Sequence, residues 1–93
     1  MFGNHIKIED YKNIIFEIFK EKELCIEHES KKIVIISFNI VGNKIRIKIS
    51  VNSKTILLDI SDAFGITRIP AMKFKDTDNF RNFIIENVLP KTQ

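Results

Sequence analysis

The chain has 93 residues, a net charge of +3 and an apolar fraction of 44%, which together predict one domain over residues 1–93 with a modest core. Abundant Ile, Leu, Val and Phe with a small net charge exclude an intrinsically disordered chain. One cysteine excludes an intramolecular disulfide, and no apolar run approaches the ~20 residues of a membrane span, so we expect a cytoplasmic protein without membrane contact.

The first predicted element is an amphipathic helix over residues 9–22. Its apolar stripe consists of Tyr11, Ile14, Ile15, Ile18 and Phe19. Glu9 and Asp10 lie at the end where the helix dipole favours negative charge. Phe16 falls beside the stripe and is expected to widen the buried face. A helix with one apolar stripe needs an apolar surface to pack on.

Four strands are predicted next, separated by short polar turns. They cover residues 24–29, 33–41, 44–51 and 55–61. The clearest turn is Gly42-Asn43, because glycine and asparagine between two β-branched runs are a strong hairpin signal. Asn52-Ser53 is a second two-residue turn of suitable composition. Strands joined by such short turns predict an antiparallel meander.

The two turns predict a register for the middle strands. A loop at Gly42-Asn43 places Ile40 opposite Ile45. A loop at Asn52-Ser53 places Ile45 opposite Ile60. The pairs that follow from these two keep one face apolar across all three strands. A one-residue shift of the strand register would expose every side chain of that face.

The last part of the chain predicts a fifth strand and a second helix. Residues 68–75 form a short strand, which Pro70 confines to a sheet edge. Asp76 or Thr77 caps a helix that ends at Pro90. The apolar stripe of that helix consists of Phe80, Phe83, Ile84 and Val88. The predicted fold class is α+β: an antiparallel meander of four to five strands with N-terminal and C-terminal helices packed on one face, in the order α-β-β-β-β-β-α.

Residues that could perform catalysis are sparse. By strand alternation Cys25 and His28 point to opposite faces, and no residue set has the spacing of a zinc site. The register places Asp59 beside Arg46, which predicts a cross-strand ion pair. A metal-dependent hydrolase using Asp59 and Asp62 is the weaker alternative. With no glycine-rich phosphate loop either, the sequence predicts a non-enzymatic protein without metal or cofactor.

The outer face of the predicted sheet is the remaining candidate site. Its basic stripe lies beside apolar and polar neighbours, a mixture that suits a protein partner. The predicted partner-binding residues are Lys44, Arg46, Lys48, Ile35, Leu57 and Asn39. A solvated face without a partner is the plain alternative. The short chain without catalytic residues is typical of accessory proteins, some encoded by mobile elements, that regulate or inhibit a larger protein.

Two other partners stay open. Lys44, Arg46 and Lys48, with neighbouring lysines, could contact phosphates and bind nucleic acid weakly and with little sequence preference. The predicted face has no aromatic side chain on which bases could stack, which favours protein over nucleic acid. A homodimer through the sheet is the second alternative, since small domains often gain stability by association. The loop around Phe64 offers a further apolar anchor.

Overall fold

The computed structural model describes residues 6–62, 64 and 66–92. The first helix is α1, Ile8–Ile18. Five strands follow: β1 Cys25–Glu29, β2 Ile33–Ile40, β3 Asn43–Asn52, β4 Thr55–Asp62 and β5 Thr67–Phe74. The second helix, α2 Thr77–Phe83, continues as a π-helical segment, Ile84–Val88, and a 3₁₀ turn, Leu89–Thr92. Pro90 therefore lies within the 3₁₀ turn, which the sequence did not predict.

The five strands form one antiparallel sheet in the order β1-β2-β3-β4-β5. This topology confirms the predicted α+β meander between two helices. The buried side chains of both helices join those of one sheet face in a single core. Phe80 of α2 is fully buried there, with its ring centre 4.9 Å from that of Tyr11 and 5.3 Å from that of Phe74, both edge-on. These aromatic contacts connect α1, α2 and β5.

The β2–β3 turn lies one residue earlier than predicted. Ile40 pairs with Asn43, so Val41 and Gly42 are the central residues of the loop. Both have positive φ, 46° and 84°, as a type I′ turn requires. Every predicted pair between these strands is therefore displaced by two residues. Because the displacement is even, each side chain keeps its predicted face.

The β3–β4 turn lies one residue later than predicted. Its central residues are Ser53-Lys54 instead of the predicted Asn52-Ser53. The register then places Asp59 opposite Lys48 and not beside Arg46, so the predicted partner of this carboxylate is wrong. The side chains again keep their faces, because the pairing moves by two positions.

β1 contains a bulge that the sequence pattern did not reveal. Glu27 and His28 together lie opposite Ile35, so the strand has one extra residue there. The bulge interrupts the alternation, and the register places Cys25 and His28 on the same face. The prediction of opposite faces is therefore wrong, and both side chains are exposed.

The strained β2–β3 turn predicts a stabilising substitution. Val41 is 96% exposed, so it gains no packing in return for its left-handed backbone conformation. Asparagine adopts this conformation more readily. We expect Val41→Asn to raise the free energy of unfolding by about 1 kcal/mol and Tm by about 4–8 °C, measured by thermal unfolding. Val41→Thr keeps the β-branch and serves as control. Equal Tm values for the two variants would contradict the explanation by backbone strain.

Candidate docking face

The outer face of the sheet is the one turned away from α1 and α2. The buried core lies on the other side, and no helix or strand of the described chain packs over the outer face. Register pairs place its side chains in rows that cross the strands. One row consists of Ile33, Ser50, Leu57 and Lys73, and the next consists of Ile35, Lys48 and Asp59. We call Ile33, Ile35 and Leu57, all half-buried, the apolar trio.

All six residues predicted to bind a partner lie on this face, in two groups. Asn39, Lys44 and Arg46 lie towards the β2–β3 turn, where Asn39 pairs with Lys44. Ile35, Lys48 and Leu57 lie towards the opposite end of the sheet. The two groups differ in their electrostatic surroundings, because only the first lies beside an acidic side chain from β1.

That acidic side chain is Glu27, which the bulge directs across β2 towards β3. Arg46 Nε donates a hydrogen bond to Glu27 Oε1 at 3.0 Å, and Lys44 Nζ lies 3.5 Å from Glu27 Oε2. The hydrogen-bonding Ser37 hydroxyl, followed by Arg46 and Lys44, lowers the pKa of Glu27. The carboxylate therefore stays ionised near neutral pH, and its single negative charge balances half of the positive charge of Lys44 and Arg46. This pairing could not be predicted from the sequence, because strand alternation does not reveal the bulge.

A second set of cations lies at the end of the sheet where β2 and β4 begin. The lysine rim, as we call it, consists of Lys32, Lys48, Lys54, Lys73 and Lys75, all exposed. A backbone hydrogen bond of 2.9 Å from Val51 N–H to the Lys32 carbonyl holds the β1–β2 turn against the end of β3. No carboxylate of the described residues forms an ion pair with a rim lysine. The rim is therefore the part of the outer face where positive charge is unbalanced.

Two carboxylates near the rim have structural partners elsewhere. Glu29 Oε2 lies 2.7 Å from Lys12 Nζ of α1, and the hydrogen bond raises the pKa of Lys12. Asp76 caps α2, as the sequence predicted, by accepting a hydrogen bond of 2.8 Å from Asn79 N–H. Glu29 thus connects α1 to the sheet, and Asp76 starts α2. Neither carboxylate pairs with a rim lysine. Asp59, opposite Lys48, is the acidic side chain within the rows of the apolar trio.

Charge is unevenly divided between the sheet and the helices. Residues 25–75, which contain the sheet, have nine basic and four acidic side chains. The rest of the chain has six basic and eight acidic side chains. The sheet segment is therefore net positive while the helical segments are net negative, a division that the overall charge of +3 conceals.

The opposite end of the sheet is apolar. Val41 at the β2–β3 turn is 96% exposed and Phe64 in the β4–β5 loop is 83% exposed. Asp62 Oδ1 accepts backbone hydrogen bonds of 2.9 Å from Phe64 and Ile66, which shapes this loop. A recess of about 160 Å³ lies at this end, lined by Ile40, Ile45, Ile60, Ile69, Val88, Lys91 and Thr92. Phe64 is thus exposed, as an apolar anchor would have to be.

The described residues offer neither a metal site nor a membrane-spanning helix. Within ranges 6–62 and 66–92 and at residue 64, no three His, Cys, Asp or Glu side chains group closely enough to hold a metal ion. Helices in that part of the chain are too short or too polar to cross a membrane. Models of known protein families, curated proteins and solved structures gave no match to the chain. The geometry and charge of the outer face are therefore the features of this chain that bear on its function.

Proposed function

We propose that this protein is a non-enzymatic binding module that docks on a protein partner through the outer face and thereby regulates or inhibits it. The observation that carries the proposal is the apolar trio, which lies half-buried on a sheet face that no described element covers, beside exposed lysines that form no ion pair within the described part of the chain. Protein interfaces combine apolar anchors with a polar, charged rim in this way.

The sheet also suits the recognition of a preformed surface. The strands that carry the apolar trio, β2 and β4, both pair with β3 in the middle of the sheet, and their inner faces lie in the core. Their backbones are therefore fixed before any partner arrives, so binding would cost little ordering entropy in the module. A rigid face of this kind favours docking without a large change of shape.

Two observations favour protein over nucleic acid as the partner. Glu27 already pairs with Lys44 and Arg46, which reduces the number of cations free to meet phosphates. The strand residues described on the outer face include no phenylalanine, tyrosine or tryptophan on which a base could stack. A face that pairs two of its cations internally and has no stacking platform suits a protein surface better.

Site-specific photo-crosslinking in the native host tests the proposal. We expect Ser50→p-benzoylphenylalanine, in the row of Ile33 and Leu57, to give a discrete covalent adduct. The matched control is Asn82→p-benzoylphenylalanine on α2, which is exposed on the helical side and should give none. The adduct should be destroyed by protease and should survive nuclease.

Four other outcomes would contradict the proposal. A nuclease-sensitive adduct would identify nucleic acid as the partner. An adduct with twice the mass of the chain would identify a second copy. Adducts from position 82 alone, or from neither position, would remove the outer face as the docking surface.

A further inference from the structure

We infer that the segment bound by the outer face is an acidic stretch of polypeptide with an apolar side chain at its centre, seated between the apolar trio and the lysine rim. The inference rests on the proposed function and adds to it the chemistry of the partner and the end of the sheet that it occupies. It follows from two features of the same end of the sheet, one of shape and one of charge.

The shape follows from the register across three strands. Ser50 of β3 lies directly between Ile33 of β2 and Leu57 of β4. Adjacent strands are spaced by ~4.8 Å, so the two larger residues lie about 10 Å apart with a small side chain between them. This leaves room above Ser50 for one apolar side chain of a partner, in contact with Ile33 and Leu57.

The charge follows from which cations have partners. Lys73 lies beside Leu57 in the same row, and Lys48 lies opposite Ile35, so rim lysines border the apolar trio directly. The rim has no ion pair with a described carboxylate, whereas Lys44 and Arg46 at the other end are paired with Glu27. An acidic segment would therefore be drawn to the rim end, within the ~8 Å over which surface charges interact at physiological salt.

Other occupants fit only part of this arrangement. Nucleic acid would match the lysine rim, but its phosphates would gain nothing from the apolar trio. A second copy could present its net negative helical side to the rim. Both occupants are therefore included as outcomes of the experiment.

The experiment measures the binding of labelled peptides to the intact protein by fluorescence anisotropy at low ionic strength. The probe is a peptide of glutamates around a central Phe-Leu pair, and its matched control has Ser-Ser in place of that pair. Burial of one large apolar side chain predicts about tenfold tighter binding of the probe. Both affinities should fall as salt is added.

Variants of the protein locate the binding surface. Lys54→Glu with Lys73→Glu should weaken binding of the Phe-Leu peptide at least about tenfold, because two attractions become repulsions at the rim. The control, Lys7→Glu with Lys20→Glu, makes the same change of net charge at exposed positions flanking α1 and should change affinity by less than about threefold. Circular dichroism spectra check that both variants fold.

Several results would overturn the inference. One is equal affinity for the two peptides, and another is an equal loss of affinity in both double variants. The others are no binding of the probe and tighter binding of a random oligonucleotide than of the probe. Sedimentation of the protein alone tests for a second copy. A dimer of the unaltered protein, together with a monomer of the rim variant, would assign the rim to self-association. If crosslinking from position 50 captures a protein while the peptides fail to bind as expected, the proposed function stands and only the acidic chemistry of the partner is wrong.

Discussion

Phe80→Ala is expected to lower the free energy of unfolding by about 3–5 kcal/mol, the usual cost of removing a fully buried aromatic side chain. Phe80 is 0% exposed, and its ring contacts Tyr11 of α1 and Phe74 of β5 edge-on. Its loss would leave a cavity where both helices meet the sheet. Since a domain of this size is stable by ~5–14 kcal/mol, the variant should lose a large share of its stability.

Equilibrium unfolding in urea, followed by circular dichroism, measures this effect. Phe64→Ala is the matched control, because it removes the same atoms from a side chain that is 83% exposed. We expect that variant to change the free energy of unfolding by less than about 0.5 kcal/mol. Similar losses in the two variants would mean that Phe80 does not lie at the centre of the core.

The sequence predicted the faces of the sheet better than it predicted the turns. Strict alternation from Ile45 to Val51 assigned every β3 side chain to the core or to solvent, and the pairing confirms that assignment. The first turn was misplaced by one residue, because Gly42-Asn43 is a favoured pair and Val41 is a poor choice for positive φ. A two-residue change of register leaves every side chain on the same face of the sheet. The hydrophobic pattern is therefore the same for both registers and could not locate the turn.

Strand alternation and sheet topology predicted which residues lie on the outer face, but not which of them form ion pairs. All six proposed contact residues fell on the outer face because the register error was even. The pairing of Glu27 with Arg46 and Lys44 depends on a bulge in β1 that no sequence signal reveals. The lysine rim follows from topology, because alternate turns of a meander lie at the same end of the sheet. Sequence alone could not show which cations are already paired.

The pairing of Glu27 changes which substitutions can test binding. Reversing Lys44 or Arg46 would place a new carboxylate beside Glu27, and the resulting repulsion would disturb β1 as well as any complex. Lys73, which lies opposite Leu57 and has no ion pair among the described residues, and Leu57 itself, half-buried on the outer face, avoid this difficulty. Variants at these two positions separate the contribution of the outer face to binding from its contribution to folding.

Leu57→Thr is expected to weaken the complex with the partner captured at position 50 by about thirtyfold. Leu57 is the member of the apolar trio that lies between Ser50 and Lys73, at the junction of the apolar and basic parts of the face. Truncation of a central apolar anchor commonly costs a complex 2 kcal/mol or more, which corresponds to about thirtyfold in Kd. Threonine is a good strand residue, so the sheet should remain intact.

Titration of the purified partner with each variant, by calorimetry, measures the loss of affinity. Ile85→Thr is the matched control, because it shortens an aliphatic side chain that is 43% exposed on the helical side. That variant should bind within about twofold of the unaltered protein, since surface substitutions away from an interface have small effects. Unchanged affinity in Leu57→Thr would remove the apolar trio from the interface. Equal losses in both variants would indicate that binding responds to general destabilisation and not to contact with the outer face.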